Sequence, residues 1–253
     1  MMARRIILTT LASCYVVLWI GGVGSHVLFG RAPDGAVWAA PVFLLLAGLI
    51  TLLTAHRSAQ AALLTASGLG LAAEVIGVRY GFPFGSYVYT ATLQPQLFGV
   101  PLVMACAWMV LVAYVKDLPA GFKLPAWVEV PLLALWMTMI DLLIDPLAAN
   151  QLDYWHWAEP GWYYGIPVQN FFGWFAVSLL IFAVIRLLNG SGRQPNPWAR
   201  WTGFSILLFF TCIAFAHRLA IAGSIGAMLC LTTAIIGNWP ASKWSRSKVE
   251  NLL

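Results

Sequence analysis

The sequence predicts an all-α fold, a polytopic membrane bundle of about eight transmembrane helices with both termini cytoplasmic. Three observations carry that reading. The 253 residues are 61% hydrophobic and only 9% charged, far from the usual composition of a soluble domain. Apolar runs of roughly 18 to 24 residues, long enough to cross a hydrocarbon core of about 30 Å, recur along the chain. Lys and Arg fall into alternate loops, as they do in proteins whose short cytoplasmic loops collect positive charge.

Six crossings follow directly from run length: Ile6 to Phe29, Val37 to Thr54, Ala61 to Val78, Phe98 to Val115, Trp127 to Leu147 and Val168 to Leu188. The stretch from Trp201 to Trp239 would measure roughly 58 Å as one helix, so it is expected to fold back. His217-Arg218 and Gly223-Ser224 mark that hairpin, giving a seventh helix from Trp201 to Leu219 and an eighth from Ser224 to Trp239. Residues 1–240 then form a single integral membrane domain, and 241–253 a basic cytoplasmic tail.

With the N-terminus inside, the cytoplasmic set is Arg4, Arg5, Arg57, Lys116, Lys123, Arg186, Arg193, Arg200, Lys243, Arg246 and Lys248, and only Arg31, Arg79 and Arg218 fall outside. The net charge of +5 is therefore a topology signal, and no nucleic-acid partner is expected. The first apolar run has helix length and no evident small-residue cleavage site, so it reads as a retained helix. Cys14, Cys106, Cys212 and Cys230 sit in separate apolar runs without C-x-x-C spacing, which indicates neither a disulfide framework nor a zinc site.

Ionisable groups inside a membrane are costly and so mark functional candidates. Glu74 lies in the last turns of helix three, and Asp141 and Asp145 lie four residues apart on one face of helix five, all in the outer half of the expected topology. A structural alternative for Glu74 is an ion pair with Arg79. Two acids on one intramembrane face repel unless protonated, paired or metal-bound. The exported loops that follow are aromatic: Arg79 to Gln96 carries "YGFPFGSYVYT", and Ala148 to Pro167 carries "YWHW" and "GWYYGIP". In the repeated Tyr-Gly-x-Pro, glycine permits a tight turn and proline suits the start of the next segment. The repeat suggests two similar helical hairpins, each with an acid ahead of an aromatic lip. An interfacial aromatic belt is the competing explanation for these Trp and Tyr residues. His26, His156 and His217 read as interfacial polar residues and His56 as a loop residue.

Taken in order, Glu74, "GVRYGFPFGSYVYT", "GVPLVMACAW", "DLLIDPLA", "WHW" and "GWYYGIPVQNFFGWF" resemble the CruF-type carotenoid biosynthesis family, which includes the carotenoid 1',2'-hydratases and bisanhydrobacterioruberin hydratase. The similarity covers roughly Leu71 to Phe175. It implies addition of water across the terminal double bond of an acyclic, lycopene-like carotenoid, giving a tertiary alcohol without redox cofactor or metal. The implied partners are a carotenoid drawn from the bilayer, water, membrane lipid and other enzymes of carotenoid synthesis.

Role assignments rest on chemistry. Such a hydration needs a proton donor, stabilisation of a tertiary cation and capture by water. Hydrocarbon surroundings favour the uncharged form of a carboxyl group, and two facing acids share one proton. Asp141 and Asp145 fit as general acid and water-holding base in either order, with Glu74 a third candidate. Tyr80, Phe82, Phe84, Tyr87, Tyr164, Phe171 and Trp174 offer π faces for the cation. Asn170 and Gln169 are candidates to orient water; helix packing is the alternative for Phe171, Gly173 and Trp174. A polyene dissolved in the bilayer is expected to enter laterally between helices, at a site near the extracytoplasmic side.

Two other readings compete. Asp141-x-x-x-Asp145 also looks like part of the aspartate-rich magnesium-diphosphate motif of membrane prenyltransferases, but no second Asp-rich stretch is present and the pair is expected opposite the cytoplasmic substrates. The other is a non-catalytic carotenoid- or lipid-binding protein, or a transporter with a carboxylate relay. A retinal photoreceptor is disfavoured because Lys116, Lys123, Lys243 and Lys248 all fall in expected loops or the tail.

Overall fold

The computed structural model describes residues 2–118, 124–189 and 195–237. Among them are eight α-helices: α1 (Met2–Phe29), α2 (Ala39–Thr54), α3 (Arg57–Tyr80), α4 (Met104–Asp117), α5 (Ala126–Asn150), α6 (Val168–Asn189), α7 (Pro197–Ala216) and α8 (Ala220–Gly237). The all-α bundle is as expected, and six of the helices are long and apolar enough to cross a membrane. Lys123, Arg193, Trp239 and the expected tail lie outside the described residues.

Two expected elements take a different form. The run from Phe98 to Val115 is not one crossing. Its first part is a β-hairpin of β2 (Gln96–Leu97) and β3 (Val100–Pro101), and α4 has 14 residues, about 21 Å of helix and too short to span. Phe98 and Gly99, both at positive φ, turn that hairpin, so apolar composition here serves a loop packed on the bundle. The α7–α8 turn falls at His217-Arg218, while Gly223 and Ser224 lie inside α8. Lys116 lies in the last turn of α4 and is not a loop residue.

Local chemistry explains several boundaries. Asn196 caps α7 by accepting from the Trp198 and Ala199 amides at 3.1 and 3.3 Å, and Pro197 follows at the first helical position, where no amide is missed. Gly81 ends α3 in the left-handed conformation at φ 66, as the first Tyr-Gly-x-Pro predicts. Pro167 immediately precedes α6, whereas Pro83 lies in the loop well before α4, so only the second proline opens a helix.

Pro146 lies inside α5 and cannot donate to the carbonyl of Leu142 four residues back. The hydroxyl of Tyr163 donates to that carbonyl at 2.9 Å instead, so the aromatic loop restores the hydrogen bond that the proline removes. The repair sits beside Asp145.

Helices α3 and α4, α5 and α6, and α7 and α8 pack as neighbours around two buried clusters, one centred on Trp108, Met137 and Ile181, the other on Tyr15, Ile50 and Ile213. Arg31, Arg79 and Arg218 lie at the helix ends that carry the aromatic loops. The opposite ends hold Arg4 on the Leu53 carbonyl, Arg200 on the Asp117 carbonyl and a partly buried Arg186–Glu129 ion pair. The two ends thus differ in charge as the loop count predicts.

Candidate active site

The two aromatic loops meet. Strand β1 (Tyr87–Tyr89) pairs antiparallel with β4 (Trp155–Trp157), setting Tyr87 opposite Trp157, Val88 opposite His156 and Tyr89 opposite Trp155. Directly opposed residues share a face, and successive residues alternate. Both tyrosines and both tryptophans therefore face the helices, while Val88 and His156 face away and are exposed. The ribbon covers the ends of α3, α5 and α6.

Beneath one half lies Glu74, 4% exposed. Its Oε2 accepts from the Tyr87 hydroxyl and, at 2.9 Å, from the Tyr89 hydroxyl; its Oε1 accepts from the Trp108 indole at 3.1 Å. Trp108 reaches it because Gly70, one turn before Glu74, has no side chain: a Cβ there would stand 2.2 Å from Trp108 Cγ. Burial first, and then the Glu74 carboxyl, push the Tyr87 and Tyr89 hydroxyls far above the ordinary phenol range, so both stay donors. The alternative ion pair with Arg79 is not formed; that guanidinium lies over the Tyr80 ring at 5.6 Å.

Beneath the other half lie Asp141 and Asp145, 3% and 1% exposed. The Asn170 amide nitrogen donates to Asp141 Oδ2 at 2.7 Å and to Asp145 Oδ2 at 2.6 Å, tying one helical face of α5 to the first turn of α6. Asp145 Oδ1 accepts from Trp155 at 2.8 Å and from Trp157 at 3.3 Å. Asp141 instead faces a cavity of about 70 Å³, whose walls include Leu111, Ile140, Ile144, Tyr154, Trp155 and Trp174. It is the one acid among the residues lining that cavity, and the walls around it are apolar and aromatic.

The sequence candidates divide. Glu74, Asp141, Asp145, Tyr87 and Asn170 join one network under the ribbon. Phe84 is buried between Tyr87 and Trp174, at 6.3 Å from each ring, and Trp174 stacks on Trp108 at 4.3 Å. Tyr80 and Phe82, 70% and 67% exposed, stand outside the network. Tyr164 is a third. Its hydroxyl accepts from the Ile221 amide at 3.2 Å, which turns it toward the start of α8 and away from the acids. Phe171 packs edge-on against Tyr163 at 5.7 Å. Gln169 donates to the Gly81 carbonyl at 3.0 Å, and a Cβ on Gly173 would stand 2.8 Å from Phe84 and 2.9 Å from Pro83, so the first Tyr-Gly-x-Pro lies against the start of α6, just after the second.

Four network residues escaped the candidate set: Tyr89, Trp108, Trp155 and Trp157. The alternation in "YVY" and "WHW" is a strand signal that would have picked out three of them. Trp108 carries no such signal within its apolar run.

Among the described residues, no cluster of three or more His, Cys, Asp or Glu side chains is arranged to hold a metal ion. Both Asp145 oxygens and Asp141 Oδ2 are met by N–H donors, the opposite of what a diphosphate-bound magnesium requires of its carboxylates.

The sequence profile of the family described as "Carotenoid biosynthesis protein" matches residues 37–238, which include every residue of this network. A bisanhydrobacterioruberin hydratase of Haloarcula japonica is 33% identical over 146 residues, 54% of this chain and 48% of the relative. The chain thus aligns with about half the length of the curated relative it matches. No solved structure matches it.

Proposed function

The chain belongs to the carotenoid biosynthesis protein family, and from that membership and the paired aspartates beside an apolar cavity we propose that it is a carotenoid-modifying membrane enzyme, a hydratase of the terminal double bond of an acyclic carotenoid. The observation that carries the proposal is the asymmetry of the pair. Asp145 receives three N–H donors and is held under the ribbon, whereas Asp141 receives one and lines the apolar cavity, where the end of a hydrocarbon chain would sit.

The reaction then runs with one proton in circulation. The Asp141 carboxyl gives its proton to the C2' carbon of the end group, and the double-bond electrons form that C–H bond. The positive charge left at the tertiary C1' carbon faces the Trp155 and Trp174 rings and the new Asp141 carboxylate, which stabilise it through π and charge contacts. A water attacks C1' and passes its proton to Asp145. Transfer of that proton from Asp145 to Asp141, which share the Asn170 amide, restores the starting state. Nothing is oxidised or reduced, and atoms balance as alkene plus water to alcohol.

Glu74 serves in this reading as a positioning residue. It anchors Tyr87, Tyr89 and Trp108, and these support the tryptophans that hold Asp145 and line the cavity. The site lies on the extracytoplasmic side if the basic helix ends are cytoplasmic.

Expression in a lycopene-producing host, followed by mass analysis of the pigments, tests the proposal. A gain of one or two waters that survives chelators supports it. An added five-carbon unit would establish the prenyl-transfer alternative, and unchanged pigments the binding-protein alternative.

A further inference from the structure

A second cavity, of about 430 Å³, lies between α1, α2 and α7, and shares Leu44, Tyr154 and Phe210 with the wall of the Asp141 cavity. The two are therefore consecutive spaces separated by three side chains. The smaller has room for roughly two water-sized groups and the larger for about fourteen, at about 30 Å³ each. The first matches the tip of a hydrocarbon chain in size and the second a longer stretch of one.

The larger space is suited to a ligand that makes no hydrogen bonds. Phe43, Phe209 and Phe210 form much of its wall, and of the polar residues that also line it, Ser25 Oγ donates to the Gly22 carbonyl at 2.9 Å and His26 Nδ1 pairs with His217 Nε2 at 3.0 Å, while Thr92 and Gln151 complete the set. Val17, Val37 and Trp38 stand at its margin and are exposed on the apolar flank of the bundle, so the space opens sideways, where lipid would lie.

From this continuity we infer that the α1–α2–α7 groove binds the body of the polyene, with its end threaded past Leu44, Tyr154 and Phe210 to Asp141. The inference takes the identity of the occupant from the proposed function. The groove selects long, extended hydrocarbon chains, and the Asp141 cavity accepts their ends.

Gly21 gives a direct test. It lines the groove, and a Cβ built on it meets nothing within 4 Å, so a larger side chain there fills ligand space without colliding with the helix. Gly24 has the same freedom but does not line the groove, and serves as the control. Lycopene is achiral, so a circular-dichroism signal in its visible bands reports seating in a chiral site whether or not hydration occurs. Purified wild-type protein should induce that signal. Gly21→Leu should weaken lycopene binding about tenfold or more, Gly21→Ala should fall between, and Gly24→Leu should bind as wild type. Retained helical content and monodisperse elution show that each variant is folded.

An induced signal lost in Gly21→Leu supports the groove even if no alcohol forms, in which case the hydratase reading alone fails. No signal from the wild type, or one unmoved by Gly21→Leu, assigns the groove to lipid tails and overturns the inference.

Discussion

Tyr87 and Trp157 face each other across the β1–β4 ribbon with ring centroids 5.0 Å apart, and each donates to a different buried acid, Tyr87 to Glu74 and Trp157 to Asp145. One ribbon thereby ties an acid on α3 to an acid on α5. Its two strands come from the two loops that carry the repeated Tyr-Gly-x-Pro, which explains why both loops are so aromatic: each supplies half of a hydrogen-bond-donating cover.

Asp141→Asn and Asp145→Asn should each lower hydration by about 10²- to 10⁴-fold, the usual contribution of a positioned acid or base. Asparagine is nearly isosteric with aspartate, so the variants should insert and elute as wild type. Product per milligram of purified protein is the readout, and a variant that keeps full turnover removes that aspartate from the mechanism.

The indole donors to Asp145 should be graded. Trp155 donates at 2.8 Å and lines the Asp141 cavity, whereas Trp157 donates at 3.3 Å and does not line it. Trp155→Phe should therefore slow turnover more than Trp157→Phe; the reverse order would mean that the ribbon's packing matters more than its hydrogen bonds.

Tyr163 and Pro146 should couple. Tyr163→Phe leaves the Leu142 carbonyl without a donor and should cost about 1–3 kcal/mol of stability. In a Pro146→Ala background the new amide donates to that carbonyl, so the same substitution should cost much less. Equal costs in the two backgrounds, measured by thermal unfolding in detergent, would show that Tyr163 is not replacing the missing helix bond.

Alkaline stability follows from the ribbon tyrosines. Burial, and then Glu74, raise the Tyr87 and Tyr89 hydroxyls, so the folded state keeps protons that an unfolded phenol loses near about pH 10. Their contribution is fully present below about pH 10 and declines as pH rises above it. Tyr87→Phe should flatten the fall of Tm over about pH 9 to 11. An unchanged slope would place the alkaline sensitivity elsewhere.

How much of this was legible varied with the range of the signal. Apolar runs and charge placement are local, and they predicted the bundle, the return between α7 and α8, and the level shared by Glu74, Asp141 and Asp145. Phe98 to Pro101 misled because hydropathy does not separate a crossing from an apolar hairpin packed on one. Aromatic character does not reveal which way a side chain faces, so the exposure of Tyr80, at the end of α3, and of Phe82, in the loop beyond it, was not legible. The pairing of Tyr87 with Trp157 joins positions far apart in the chain. Alternation marks both strands, but no local pattern says that they are partners, and the Trp108 contact with Glu74 depends on a bare Gly70 in another helix.

The central claim is that the Asp141–Asp145 pair protonates the end of a carotenoid and directs water to it. Incubation of purified protein with lycopene in deuterium oxide tests this directly. The account predicts an alcohol with one non-exchangeable deuterium at each hydrated end, on the carbon next to the one bearing oxygen, formed about 10²- to 10⁴-fold more slowly by Asp141→Asn. Alcohol lacking that deuterium, or formed by Asp141→Asn as fast as by the wild type, would contradict it.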